Sequence, residues 1–186
     1  MSWKLPPWVE AQGYVAGRTE GQVTELFEKH RAGDLSRPGL IAELVVLLRV
    51  TAETAVALAD KYTSLQLEAI DGKPRQPGGW VVPLATSEDA LLEELTQAYP
   101  EDVDEDHMEG VLGALVVAGR SYTLGALQNG RQAALKGQEV AFWRRGVESG
   151  ACEICHDLAD GILPMDQEPW FHKGCGCTQE PVLPGH

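Results

Sequence analysis

Cysteine is missing from the first 151 residues of this chain, and all four cysteines lie between residues 152 and 177. The sequence also lacks an apolar run approaching about 20 residues, the length that a helix needs to cross a bilayer, so we expect no membrane span. The first eight residues have no basic segment, apolar stretch and small-residue cleavage site of a secretory signal. We therefore expect the cysteines to stay reduced and available to a metal ion.

Basic residues are missing from positions 76–119, whereas ten carboxylates crowd between residues 88 and 109. The whole chain has 28 acidic and 15 basic residues, which gives a formal net charge of −13. A field of this sign repels polyanions and argues against free-standing nucleic-acid binding. We interpret the acidic segment 88–109 as a solvated face in preference to a docking surface.

The length of 186 residues suits one ordinary domain with an appendage. Residues 1–17 are rich in Trp, Pro and Gly, which predicts an N-terminal arm whose exposed Trp3 and Trp8 anchor a partner. Apolar residues at helical spacing predict a helical domain over 18–137. Residues 138–186 predict a small α+β metal-binding module, so the fold class is mainly α with this module at the C-terminus.

Local signals predict where the helices begin and end. Thr19 is a candidate cap for a helix of about a dozen residues. Ser36 and Pro38 predict the start of a long amphipathic helix that ends at Asp71-Gly72. A loop near 71–86, rich in Pro and Gly, then precedes a short helix capped by Thr86-Ser87.

Two further helices are predicted over 103–119 and 121–136. Small residues on one face of the second helix favour close helix contact, namely Gly125, Ala126, Ala133 and Ala134. Aromatic residues and Val over 139–147 predict a strand that leads directly into the first cysteine pair.

Cysteine and histidine spacing predicts one structural zinc ion in the C-terminal module. Cys152-Glu-Ile-Cys155 places two thiols on a tight turn, and His172-Lys-Gly-Cys175-Gly-Cys177 supplies a second group of donors. Five donors compete for four positions, and we favour Cys152, Cys155, His172 and one of the last two cysteines, with Cys177 ahead of Cys175. Four protein ligands leave no open position for substrate, so we expect a clamp and no catalytic residues.

Other interpretations of the cysteines remain open. Isolated cysteines are disfavoured by their clustering, and a redox Cys-x-x-Cys lacks the strand–helix–strand setting of such motifs. A zinc deaminase would use His107, Glu109 and the Cys152–Cys155 pair, but Ala151 stands where its signature has proline. We favour a solvated His107 within an acidic helix. The sequence also has no Gly-rich phosphate loop and no Gly-x-Ser-x-Gly elbow.

The order of features from Val140 to Val182 resembles the C-terminal part of the Mu F-like minor head proteins of tailed phages. This family includes relatives in phages of actinobacteria that are often labelled capsid maturation proteases. In the family, a helical region precedes a strand with Trp or Phe and Arg, followed by Cys-x-x-Cys, His-x-x-Cys-x-Cys and an apolar tail. The chain has these features in the same order, with Lys173 where the family commonly has proline, and the match covers about a quarter of its length.

The resemblance implies a virion component in the head interior near the portal, which is in the host cytoplasm during assembly. It implies a role in head assembly or in DNA packaging and ejection, with the portal or major capsid protein as partner and indirect contact with packaged DNA. Arg144 and Arg145 are candidate partner-binding residues, and no small-molecule substrate is expected. We do not expect protease activity, because no nucleophile with its base is evident. A zinc-dependent hydrolase and a cytoplasmic adaptor or toxin module are the alternative functions.

Overall fold

The computed structural model describes residues 7–80, 82, 86–147, 151–167 and 175–184 and confirms a mainly helical chain with a small C-terminal sheet. The helices are α1 (Trp8–Arg31), α2 (Arg37–Asp71), α3 (Glu88–Ala98), α4 (Met108–Gly137) and α5 (Glu153–Asp157), with a 3₁₀ turn at Glu105–His107. The strands are β1 (Phe142–Gly146), β2 (Ile162–Pro164) and β3 (Thr178–Val182). We call residues 8–137 the helical body and residues 138–184 the C-terminal module.

The long helix α2 begins and ends where the sequence predicts. The Ser36 side chain accepts a hydrogen bond from the backbone N–H of Gly39 at 3.2 Å, and Pro38 lies in the first turn. Gly72 ends the helix with a left-handed φ of 70°, which glycine adopts without steric cost. The 35 residues of α2 extend for about 52 Å at 1.5 Å per residue, so this helix runs the length of the helical body.

The N-terminal prediction is wrong from Trp8 onward. Residues 8–17 belong to α1, because Pro7 can precede a helix without losing a hydrogen bond. Thr19 lies inside α1, where its hydroxyl donates to the Val15 carbonyl at 3.1 Å, and it caps nothing. Trp8 is fully buried with its ring centroid 4.8 Å from that of Tyr62, so it is not an exposed anchor. Trp3 lies outside the described residues.

After the 3₁₀ turn, one long helix runs over Met108–Gly137, and the predicted break between two helices near Gly119 is wrong. A Cβ atom on Gly119 would lie 3.0 Å from Cγ2 of Val23, so this glycine admits a neighbouring helix and does not end its own. Gly130 lets α4 approach α2 closely, because a Cβ there would lie 2.9 Å from the Val56 Cα. Among the small residues predicted for contact, Ala126 and Ala134 are buried.

The segment between α2 and α3 is irregular over residues 72–80, as predicted from its Pro and Gly content. The buried carboxylate of Asp60 accepts hydrogen bonds from the backbone N–H groups of Gly78 at 3.2 Å and Gly79 at 2.8 Å. Ser87 caps α3 by accepting from the Ala90 N–H at 3.2 Å, which confirms the predicted start of that helix.

Apolar side chains from α1, α2, α3 and α4 form the core of the helical body. Leu44 and Leu48 of α2 are fully buried with Phe27 of α1, Leu91 of α3 and Leu115 of α4. A second cluster next to it is built from Trp8, Tyr62, Leu124, Leu127 and the alanines of α2. A core of this size is enough for the body to fold by apolar burial alone.

The segment Glu105–Gly137 is long and apolar enough to cross a membrane by length and composition alone. It packs along α2 and α1, and 44% of its most apolar stretch is buried inside the protein. Core helices of globular proteins pass the same test, so the segment is weak evidence for a membrane span.

The three strands form an antiparallel sheet in the order β2-β1-β3, in which β1 confirms the strand predicted over 139–147. Trp143 of β1 is buried, and its indole N–H donates to the Pro164 carbonyl at 3.1 Å. Its cluster includes Leu67 and Leu135 from the C-terminal ends of α2 and α4. The sheet therefore packs against the C-terminal ends of α2 and α4. This contact positions the cysteines that lie next to the strands.

Candidate metal centre

Three of the four cysteine thiols meet in the C-terminal module. The Sγ atoms of Cys155, Cys175 and Cys177 all lie within 4.8 Å of one another, and the three residues are buried. Val147 and Ala151 pack against them. A buried group of three convergent sulfur donors is a candidate metal site.

Local structure explains how these thiols converge. Cys152 occupies the N-cap position of α5, and Cys155 follows one turn later on the side of this helix that is buried. Cys175 and Cys177 precede β3, which is paired with β1 along its whole length. The segments that carry Cys155 and the Cys175–Cys177 pair are thus both connected to strands of one sheet. The pairing of these strands determines the distance between the sulfur atoms.

The separation of two sulfurs fits tetrahedral coordination. Cys155 Sγ and Cys175 Sγ are 3.7 Å apart. Metal–sulfur bonds of about 2.3 Å at tetrahedral angles place neighbouring sulfurs about 3.8 Å apart. A disulfide needs about 2.05 Å, and all four cysteines are free thiols. The spacing of this pair therefore matches one edge of a metal tetrahedron.

Cys152 lies beside the cluster and is exposed. Its side chain hydrogen-bonds with the Cys155 thiol, so it lies next to that member of the cluster, although the group of mutually close sulfurs does not include it. His172, the remaining donor predicted from the sequence, lies outside the described residues. Cys152 and His172 are both donors of the right chemistry for the fourth position.

Two of the thiols, those of Cys155 and Cys175, are held in their neutral form when no metal is bound. Burial raises the pKa of the Cys155 thiol far above its ordinary value, and its hydrogen bonds to Cys152, Cys177 and Cys175 raise it further. Burial is also the main cause that raises the pKa of Cys175. Since metals bind the thiolate, binding at this site must release protons.

A buried guanidinium faces the thiols. Arg145 of β1 is 5% exposed, and its Nη1 donates toward Cys155 Sγ at 3.9 Å. A site with three or four thiolates around a divalent cation has excess negative charge, which a neighbouring arginine offsets. Arg145 is thus oriented inward and cannot be the partner-binding residue predicted from the sequence, because its charge is buried. Arg144, on the opposite face of β1, is exposed.

Two glutamine side chains of the helical body hold the backbone around the last cysteines. Gln128 Nε2 of α4 donates to the carbonyls of Cys175 at 2.7 Å and Cys177 at 3.0 Å. Gln12 Nε2 of α1 donates to the carbonyl of Gly176 between them. Three consecutive carbonyls are therefore fixed by α1 and α4, which restricts where the two thiols point.

A fully buried arginine joins β3 to the helices. Arg131 of α4 donates to the Gln179 carbonyl at 3.1 Å and the Thr63 hydroxyl at 3.1 Å, and it lies 3.5 Å from the Glu180 carboxylate. Its guanidinium also stacks over the Trp8 ring at 5.3 Å. Burial lowers the pKa of Arg131 to about 10, so it stays charged at neutral pH. Because the Trp8 ring packs against the guanidinium that binds β3, the buried Trp8 helps to attach the module to the helical body.

His30 and His107 of the helical body lie away from the thiols, and His156 of α5, next to Cys155 in the sequence, is exposed. His107 is at the start of α4, about 32 Å along the helix axis from Gln128, which contacts the cysteines. Glu109 follows it and forms a surface ion pair with Arg31. His30 is held between the Leu35 carbonyl and the Tyr99 hydroxyl. The fold thus separates His107 and Glu109 from the metal centre.

Sequence reasoning missed the residues that attach the module, namely Gln12, Gln128 and Arg131. Their partners are more than 40 positions away in the sequence, so local spacing gives no sign of them. The one available signal was a pair of long polar residues one turn apart, Gln128 and Arg131, within the small-residue stretch of α4.

Comparison with known proteins finds no similarity: no family model, no curated protein and no solved structure matches this chain.

Proposed function

We propose that the C-terminal module holds one structural zinc ion and that the chain is a non-catalytic minor head protein of a tailed phage. The observation that carries the proposal is the meeting of Cys155, Cys175 and Cys177, three residues of the motif that resembles the Mu F-like proteins. Their order along the chain, behind a strand with Trp143 and Arg145, supports the same assignment.

Zinc is the metal that best suits this donor set. Thiolate ligands favour soft or borderline ions, and tetrahedral sites with three or four cysteines are typical of structural zinc. Either Cys152 or His172 completes four protein ligands. With no position left for water or substrate, the ion contributes folding energy to the module and no chemistry.

The C-terminal module needs stabilisation beyond its own apolar core. Among the described residues, its apolar cluster has three buried side chains of the module, Val140, Trp143 and Met165, and takes Leu67 and Leu135 from the helical body. A segment of this size cannot bury enough apolar surface to fold alone. Metal binding supplies the missing stabilisation and fixes the module against α1 and α4.

A role in the phage head follows from the resemblance, and the fold is compatible with it. A helical body with a rigidly attached module suits a protein that acts by contact with the portal or major capsid protein. The strong negative charge disfavours tight contact with packaged DNA, so we propose that any DNA contact is indirect. We propose no enzymatic activity, since His107 and Glu109 lie far from the thiols.

Quantitative mass spectrometry of purified, DNA-filled particles tests the proposed function. In particles of a phage that encodes this chain, we expect a few copies beside the portal protein. Cys155→Ser should reduce incorporation, whereas the control Ile154→Ala, at an exposed position of the same helix, should not. Absence from particles while the chain accumulates in infected cells would overturn the head-protein proposal and favour the cytoplasmic adaptor.

A further inference from the structure

A long groove lies between α1 and α2, on the side of the helical body that faces solvent. Its volume is about 740 Å³, and its walls include Tyr14 and Arg18 of α1 and Val50, Thr54 and Leu58 of α2. Tyr14 is 74% exposed and Val50 is 58% exposed. These apolar side chains are exposed on one side of the helical body and do not pack into its core.

The apolar surface continues along α2 as a stripe. Val46, Val50, Leu58 and Leu65 are exposed and follow one another at spacings of one or two helical turns. At 1.5 Å per residue, the stripe with its flanking Glu43 extends for about 33 Å. A stripe of this length on one helix is suited to another helix that packs lengthwise against it.

Two charges of opposite sign lie towards the two ends of this stripe. Glu43 and Lys61 are both exposed and are 61 − 43 = 18 positions apart. This separation is five whole turns at 3.6 residues per turn, so both side chains leave α2 in the same direction. Among the described residues, neither forms a salt bridge, although the charge of Glu43 acts on Lys29 of α1.

We propose that this face binds a second copy of the chain, with the two α2 helices antiparallel about a two-fold axis level with Ala52. The midpoint between positions 43 and 61 is 52, so Glu43 of each copy lies opposite Lys61 of the other. The same axis brings Val46 of each copy opposite Leu58 of the other. The stripe is thus complementary to its own inverted copy in both charge and apolar contact.

Charge also selects this arrangement over others. A parallel pair of α2 helices would bring Glu43 against Glu43 and Lys61 against Lys61, which is unfavourable. In the antiparallel pair, the α2 helix of each copy lies along the groove between α1 and α2 of the other copy. Tyr14 of α1 then packs against the side of the bound α2 helix. The result is a four-helix contact with an isologous interface. This inference does not rest on the metal centre.

Sedimentation equilibrium of the full chain and its charge variants tests the inference. The wild-type chain should have twice its monomer mass of 20.2 kDa. Glu43→Lys places two lysines opposite each other at both ends of the interface and should raise the dimer dissociation constant about tenfold or more. Lys61→Glu should do the same. The double variant Glu43→Lys/Lys61→Glu restores the opposite charges and should recover the wild-type constant.

Asp102→Lys is the matched control, because it makes the same change of charge at an exposed position between α3 and α4. It should leave the dissociation constant unchanged, and circular dichroism should show that every variant keeps its helices. A monomeric wild-type chain at about 100 μM, well above the constant expected of a specific dimer, would overturn the proposal. So would a dimer that tolerates both single reversals, or a double variant that fails to recover. If the chain stays monomeric and a different protein binds in the groove, the proposal that a second copy of the chain binds there is wrong.

Discussion

The helical body buries apolar side chains from four helices against one another, whereas the C-terminal module buries three thiols and takes two leucines from the body. Both regions are well packed, but by different means. The body relies on apolar surface that its own helices supply. The module has a cluster of buried thiols that could hold a metal ion, and it relies on contacts with its neighbour. A small region can thus keep a fixed structure without a core of its own.

Around the cysteines, the contact between the two regions is polar. Gln12, Gln128 and Arg131 of the body donate to backbone carbonyls at the start of β3 and just before it. Such bonds have strict geometry, unlike apolar contacts, so they orient the chain around Cys175 and Cys177. The body therefore contributes to the metal centre through positioning and not through ligands.

The largest effect should come from Cys155→Ser, which separates the two regions most completely. The substitution removes a buried ligand, and structural zinc sites are worth roughly 10 kcal/mol or more of folding free energy. We expect bound zinc to be lost and amide exchange protection to disappear from β1 and β3, while α2 and α4 keep theirs. Hydrogen exchange with mass spectrometry measures both regions in one sample.

Ile154→Ala is the control for this substitution, because Ile154 is exposed on the same helix. It should leave zinc content and protection as in the wild type. Protected β1 and β3 in zinc-free Cys155→Ser would show that the module folds without a metal and does not differ from the body in this respect.

A smaller effect is expected from Arg131→Met, which breaks the contact between the regions. Removing one partner of a buried ion pair costs about 3–5 kcal/mol, and here it also leaves the Gln179 carbonyl without its donor. Chemical denaturation should show the loss, and exchange should increase first in β3. Adding Glu180→Gln should recover part of the stability, because the carboxylate no longer lacks a counter-charge. A loss below about 1 kcal/mol would mean that Arg131 does not attach the module.

The smallest of the three effects should come from Arg145→Gln, which sharpens the comparison within the module. The guanidinium beside Cys155 offsets thiolate charge, and loss of such a neighbour typically weakens metal affinity about 10- to 100-fold. Competition with a chelator measures this affinity. Arg144→Gln removes the same charge from the exposed face of β1 and should leave affinity unchanged. Equal affinities for the two variants would contradict a role for Arg145.

Elements with strong local signals could be predicted from the sequence. Ser36 with Pro38, Gly72 and Ser87 each act through their own backbone neighbours, and the structure confirms all of these boundaries. The grouping of cysteines likewise pointed to a metal site, because ligand spacing is a local property. The body and the module were therefore both recognisable before the fold was known.

Features that depend on distant contacts could not be predicted. Gly119 gives the local signal of a break, yet it fits against Val23 in the middle of a continuous helix. Trp8 follows two prolines and resembles part of an arm, but Tyr62 and Arg131 enclose it. The inward orientation of Arg145 similarly depends on how β1 packs against α5. In each case a tertiary contact overrides the local pattern.

The most direct test of the central claim is metal analysis of the reduced, full-length chain, with X-ray absorption at the zinc edge. We predict one zinc ion per chain and three or four sulfur neighbours at about 2.3 Å. A chain that contains no metal, or one in which zinc is bound only by oxygen and nitrogen, would contradict the account.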